Sequence, residues 1–361
     1  MLVRAMLFLV ALVYVIAVGV SDSYVWSQYL FWVPAEAWAL AIVALAMLAA
    51  VLVRGPSRRR WARVGPLAVA ALVVLHVLWS HWRLPNAVLR SPGPTALRVY
   101  HWNATEATDA SLQEFLRACD PFGLARTGPA VVVLANPPLR LDWAEIARML
   151  TDERIAQRDL ARHVRRGGRF VVISGSSIVD AGWTGLDLRG RTSEPDLIDN
   201  GTAIFVTLEL DDGPTTVWGW DWPSEPKRSR MGFVAPSREA LAASTRVTFS
   251  PTAAGPMQRS ERSGFPPPHV VVGDFNTARG SAAIARLLPG LESAHAQAGI
   301  GPDYGWPRFL RLDGVDRSAV PFLGLDQSFV DAKAWRATAY RMIDTGQGTH
   351  RAQELILTPA R

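Results

Sequence analysis

Within the first 85 residues, three stretches run almost without charge, at positions 2–20, 33–53 and 64–82. The hydrocarbon core of a bilayer is about 30 Å thick, and a helix needs roughly 20 apolar residues to cross it. Each stretch meets that length, so the chain is expected to begin with three transmembrane helices. The flanks agree. Trp26, Trp32, Trp38, Trp61, Trp79 and Trp82 gather toward the ends of the stretches, as interfacial aromatic residues do. Arg54, Arg58, Arg59, Arg60 and Arg63 crowd the loop between the second and third stretches, whereas positions 21–28 hold no Lys or Arg. Positive loops stay on the cytoplasmic side. The second helix then runs inward and the third outward, and the first starts from an inner N-terminus carrying Arg4. The expectation is a multi-pass protein of the cell (inner) membrane, with everything after about position 85 on the outer, periplasmic face. A cleavable signal peptide would be followed by water-soluble sequence, but here a second apolar stretch comes directly after the first. His76, inside the third stretch, reads as a neutral packing residue.

The apolar excess ends there. Hydrophobic residues make up 49% of the 361, with a mean hydropathy of +0.11. The surplus sits in the first stretch of the chain, and the remainder has ordinary globular composition. The formal net charge of +6 is carried by arginine, Lys227 and Lys333 being the only lysines. Such a balance favours anionic partners, phosphodiesters or lipid headgroups. No dense basic run marks a nucleic-acid-binding face in the soluble part. Cys119 is the only cysteine. It excludes an intrachain disulfide and a cysteine-based zinc cage, and reads as a small buried hydrophobe.

After a Pro/Gly linker at 86–96, the pattern is rich in strands. Positions 97–103 (LRVYHWN) alternate like a half-buried strand, and 130–134 (AVVVL) form a short apolar run of the buried kind. Strands are also expected over 169–174, 203–210, 215–220, 269–272, 325–330 and 354–357. Asp212-Gly213 turns the hairpin between two of them. Helical spacing covers 107–119, 143–150, 155–164, 237–244 and 281–288, and the Pro-, Gly- and Ser-rich segment 251–268 reads as a long loop. Many strands with a few interspersed helices predict an α+β layered sandwich.

The string HVVVGDFN, positions 269–276, delivers Asp274 and Asn276 to the end of a buried strand. Two residues apart on extended chain, their side chains point the same way. A carboxylate beside an amide suits phosphoryl transfer, the first orienting a nucleophile and the second donating to phosphoryl oxygen. The bland alternative is that both cap the next helix.

GDFN at this point of a strand-rich domain resembles the signature of the endonuclease/exonuclease/phosphatase superfamily, over positions 97–361. The other landmarks sought are a strand ending in Asn, here Asn103; a late-strand Asp, here Asp326; and a His before the last strand, here His350. The resemblance implies a four-layer α/β/β/α sandwich and divalent-metal-dependent hydrolysis of phosphodiesters or phosphomonoesters, with Mg²⁺ or Mn²⁺ as the ion. In that scheme His350, oriented by Asp326, acts as general base or, protonated, polarises the phosphate. Asp274 positions water, Asn276 stabilises the transition-state oxygens, and Asn103 helps hold the ion.

The chain departs from the pattern on the metal side. Asn136 stands where the principal metal Glu belongs, Thr349 where a metal-side Asp belongs, and Asp221 about where a catalytic His belongs. Asp221 is expected to supply a replacement carboxylate to the ion. Two readings result: a membrane-anchored hydrolase with a degenerate metal site, nuclease-like or phosphatase-like, or a catalytically inactive pseudoenzyme serving as a surface binding module. The expected partners are the lipid bilayer and nucleic acid or another phosphoester.

Overall fold

The computed structural model describes residues 2–52, 59–89, 95–122, 128–138, 162–186, 188, 200–243, 245–248, 258–312 and 315–360. The helices come first. α1 spans Leu2–Val20, α2 Val25–Phe31, α3 Ala35–Val51 and α4 Arg59–His76, with α4 running on as a π-helical turn, Val77–His81; a short α5, Asn86–Leu89, comes next. Two helical segments, Leu2–Val20 and Val64–Leu89, are long and apolar enough to cross a membrane. The expected second span departs from this. Pro34 starts α3 afresh, α3 has 17 residues, and it is bent by 71° from α2; only if that pair counts as one span does the number reach three. α3 still holds the bundle together. Its Ile42 and Ala46 meet Leu7 and Tyr14 of α1 and Ala70 of α4, small residues allowing close helix approach. Leu40, Met47, Val51, Leu72 and Leu75 point outward.

The rest is built on two six-stranded mixed sheets. The first runs β15-β16-β1-β2-β4-β3: Trp335–Ile343, Ala352–Pro359, Leu97–Asn103, Ala130–Ala135, Phe170–Ser174 and Val164–Gly167. The second runs β11-β14-β10-β7-β6-β5: Leu291–Ser293, Asp326–Asp331, Val270–Asp274, Gly213–Asp221, Thr202–Leu210 and Ile178–Gly185. Alternation explains how they stack. Val99, Val131, Val133, Val217, Val270, Val272 and Leu355 all face the layer between the sheets and form one core. The opposite face of the first sheet, with Tyr100 and Trp102, packs on α6, Asp109–Cys119. The opposite face of the second, with Trp218 and Trp220, packs on α7, Met231–Ala243, and α8, Ala282–Leu287. The outcome is an α+β fold in helix, sheet, sheet, helix layers. Cys119 is buried and free.

Some expectations change. The helix anticipated over 143–150 lies outside the described residues, as does the one over 155–164 up to position 161; Arg162 and His163 are helical and Val164 already begins β3. Within the anticipated loop 251–268, Gln258–Ser263 pairs as β9 with β8, Thr245–Thr248. The linker opens with α5.

The loop after α1 is embedded in the layered domain. Asp22, fully buried, accepts hydrogen bonds from Thr277 Oγ1 (3.1 Å), Ala283 N (3.3 Å) and Ser281 Oγ. Gln28 donates to Pro226 O (2.9 Å) and accepts from Arg230 N (3.1 Å). Gly301 N donates to Trp82 O at 2.7 Å. The helices and the sheets are therefore one packed body at this junction, and Asp22 and Gln28, buried there, are paired.

Candidate active site

The site lies at one end of the inter-sheet layer, where the strands hand over from apolar to polar residues. On β1, Val99, His101 and Asn103 share the inner face. On the second sheet, Asp221, Asp274 and Asp326 stand abreast, β10 being paired in register with β7 at Asp274–Asp221 and with β14 at Asp274–Asp326. The close approach of β7 and β10 requires Gly273, because a Cβ there would lie 2.1 Å from Trp220 O.

Three aspartates on neighbouring strands repel one another, and the first sheet supplies the groups that compensate. His350, in the turn before β16, holds Asp326 Oδ2 through Nδ1 at 2.7 Å, with its Nε2 3.9 Å from Asp274 Oδ2. Asn103 Nδ2 donates to Asp274 Oδ2 at 2.9 Å, and Asn276 N donates to Asp274 Oδ1 at 2.9 Å. Asn136, just beyond β2, donates to Asp221 Oδ2 (3.1 Å) and to Asn103 Oδ1 (3.2 Å), and accepts from Arg169 (3.3 Å). Both Asn136 and Asn276 adopt left-handed backbone, with φ of 49° and 48°, a conformation that asparagine tolerates better than most residues.

Electrostatics separates the titrating groups. Burial, and then the neighbouring Asp326 carboxylate, push Asp274 up to about 6, against the pull of His350, Asn276 and Asn103. For His350, burial works to lower the value, but Asp326, Asp274 and Asp221 outweigh it and hold the imidazole at about 9. Burial brings His101 down to about 4, with Asp326 opposing and His350 assisting. At neutral pH the site thus carries a protonated His350 beside an ionised Asp274, over a neutral His101.

Asn103, Asp221, Asp274, Asn276 and His350 all line one cleft of about 1020 Å³, and Asp326 sits behind His350, fully buried. Sequence reasoning brought these six forward. It did not bring forward Arg166, Arg169 and Arg230, which line the same cleft, nor Trp32 from the helical segment. His101 was passed over too. Its signal was present, two residues before Asn103 on the same strand face. Arg169 and Arg230 had none, since only folding sets one against Asn136 and the other against Asn276 O.

A metal-ligating combination is present: Asp274, Asp326 and His350 bring one ligand atom each within 4.8 Å of one another. The Asn103 and Asp221 end fits a magnesium ion poorly. Asn103 Oδ1 already accepts from Thr105 N (3.3 Å), Thr105 Oγ1 (2.8 Å) and Asn136, and Asp221 Oδ2 faces the Asn136 amide. Mg²⁺ needs open oxygen ligands in near-octahedral array. Here N–H and O–H donors, backed by Arg169, stand where such an ion would bind.

No protein-family model and no curated protein matches the chain. Solved structures do. A mannosyl-6-phosphatase from Bacteroides thetaiotaomicron aligns at 10% identity over 73% of this chain and all of its own, with a TM-score of 0.47. An endonuclease/exonuclease/phosphatase family protein from the same organism aligns at 10% identity over 74% of this chain and 96% of its own, with a TM-score of 0.46. The human Nocturnin catalytic domain, with bound sulfate, aligns at 14% identity over 75% and 95%, with a TM-score of 0.44. Overlaps this loose assign no reaction.

Proposed function

We propose that this chain is a membrane-anchored hydrolase of phosphoric esters, working at the cleft between its two sheets. The observation that carries the reading is the Asp326–His350 pair, with His350 Nε2 facing Asp274 in a cleft that also holds Arg166, Arg169 and Arg230. Arginine forks match phosphate oxygens, and they supply cationic charge in a cleft where Asn136 and Thr349 stand in place of expected metal carboxylates. Asp274 orients a water and takes its proton as the oxygen bonds to phosphorus. His350, held in place by Asp326, hydrogen-bonds the phosphoryl group and returns a proton to the ester oxygen as the P–O bond breaks. Asn276, at the cleft wall, is assigned to the developing negative charge.

A second reading keeps a divalent ion, Mg²⁺ or Mn²⁺, favoured by the Asp274, Asp326 and His350 combination. Chelation separates the two. We further propose three membrane crossings, α3 serving as the second, with the cleft on the outer face. The outward apolar side chains of α1, α3 and α4 and the arginine-rich loop support this.

The test uses the full chain in lipid discs, with bis-p-nitrophenyl phosphate, p-nitrophenyl phosphate and plasmid DNA as substrates, with EDTA or with added Mg²⁺ or Mn²⁺. Turnover that survives EDTA and is lost in His350→Ala is expected. Turnover that needs the ion would favour the second reading. No turnover above His350→Ala under any condition would leave the inactive binding module as the better account.

A further inference from the structure

The cleft does not end at the domain's edge. Trp32 and Leu323 line it and also line a second, small groove of about 50 Å³ between the domain and the helices, where Phe31, Phe322, Val18 of α1 and Trp38 of α3 meet Arg279 and Asp303. Trp32 and Leu323 therefore stand between a polar cleft, with three arginines and His350, and a groove that takes much of its apolar lining from the helical segment.

Trp32 is fixed at the junction. Its indole donates to Thr277 Oγ1 at 3.4 Å and lies under the Arg230 guanidinium, 5.3 Å from ring centroid to Cζ. Arg230 is itself buried and donates from Nε to Asn276 O at 2.8 Å. A residue of the helical segment thus touches, through one arginine, the backbone that carries Asn276. The domain surface on this side is also apolar: Ile300, Val320 and Phe322 are exposed in the segment bonded to the helix ends through Gly301 N and Trp82 O. Exposed apolar residues grouped beside membrane helices mark a lipid-facing surface.

Resting on the hydrolase reading above, we infer that the substrate is an amphiphilic phosphoester taken from the membrane, its phosphate in the cleft and its apolar chain passing over Trp32 and Leu323 toward the helices. Trp32 is then a specificity residue supplied by the anchor. A water-soluble nucleic acid would make no use of the apolar residues in this groove.

The experiment measures kcat/KM of the full chain in lipid discs for alkyl p-nitrophenyl phosphates with methyl, butyl and hexyl chains, all below their aggregation limits. A buried methylene is worth about 0.8 kcal/mol, so kcat/KM is expected to rise by up to about fourfold per added methylene. In Trp32→Ala, and in Val18→Trp, which fills the groove, the ratio of hexyl to methyl rates should fall toward one. Equal methyl and hexyl rates, both well above those of His350→Ala, would overturn the inference and leave the hydrolase reading standing. So would a chain-length rise that persists in both variants, since it would report partition into the disc alone. Faster cleavage of plasmid DNA than of the hexyl ester would overturn it as well. No turnover of any ester would remove the hydrolase reading, and this inference with it.

Discussion

His350 and Asp274 share a buried site and both titrate above their usual ranges, and this sets the pH behaviour of the proposed reaction. The carboxyl, raised to about 6 by burial and by Asp326, is ionised only above that value, and the imidazole, held at about 9 by its aspartate neighbours, keeps its proton only below that one. The rate requires both, so kcat/KM against pH should rise through about 6, level off, and fall through about 9. Asp326→Asn removes the charge that most favours the imidazolium, and its falling limb should move to lower pH; an unmoved limb would mean that Asp326 does not govern His350. Five residues of the site were legible at strand ends, because buried strands ending in Asp or Asn are conspicuous against apolar runs. The arginines were not. Arg169 and Arg230 look like any other arginine in an arginine-biased chain until the fold sets one against Asn136 and the other against Asn276 O.

Among the elements, β10 carries the most constraint. Its apolar run, with both faces buried, made it readable, and Gly273 lets it lie against β7 where a Cβ would strike Trp220 O. Gly273→Ala should therefore destabilise the protein by about 3 kcal/mol or more, read as a fall in the thermal midpoint with activity lost in step; an unchanged midpoint would show that the strands can part without cost. Among the strands missed from sequence are β3, β5 and β15. β5 includes Asp180 and two glycines, and β15 alternates with Arg336 and Arg341 at exposed positions, so neither stands out as a buried run. α3, Ala35–Val51, falls within the stretch expected as the second span, and Pro34 sets its start.

Taken whole, the molecule is less modular than its composition suggests. A sharp shift from apolar to mixed sequence near position 85 reads as an anchor followed by an independent domain, yet Asp22, Gln28 and Trp32 reach from the helical segment into the layered domain beside the site. That contact was illegible because its two sides lie some 200 or more positions apart. Asp22→Ala strips Thr277, Ser281 and the start of α8 of their acceptor, and should cost about 1–3 kcal/mol of stability and lower activity. A neutral result would mean that the anchor only rests against the domain.

The most direct test of the hydrolase account is to run the full chain in H₂¹⁸O with methyl p-nitrophenyl phosphate and follow the label by mass spectrometry, for wild type and Asp274→Asn. Attack by an oriented water places ¹⁸O in the phosphate product, and loss of the base should slow release by about a hundredfold or more. Label in the p-nitrophenol, or release that Asp274→Asn and His350→Ala leave unchanged, would contradict the account.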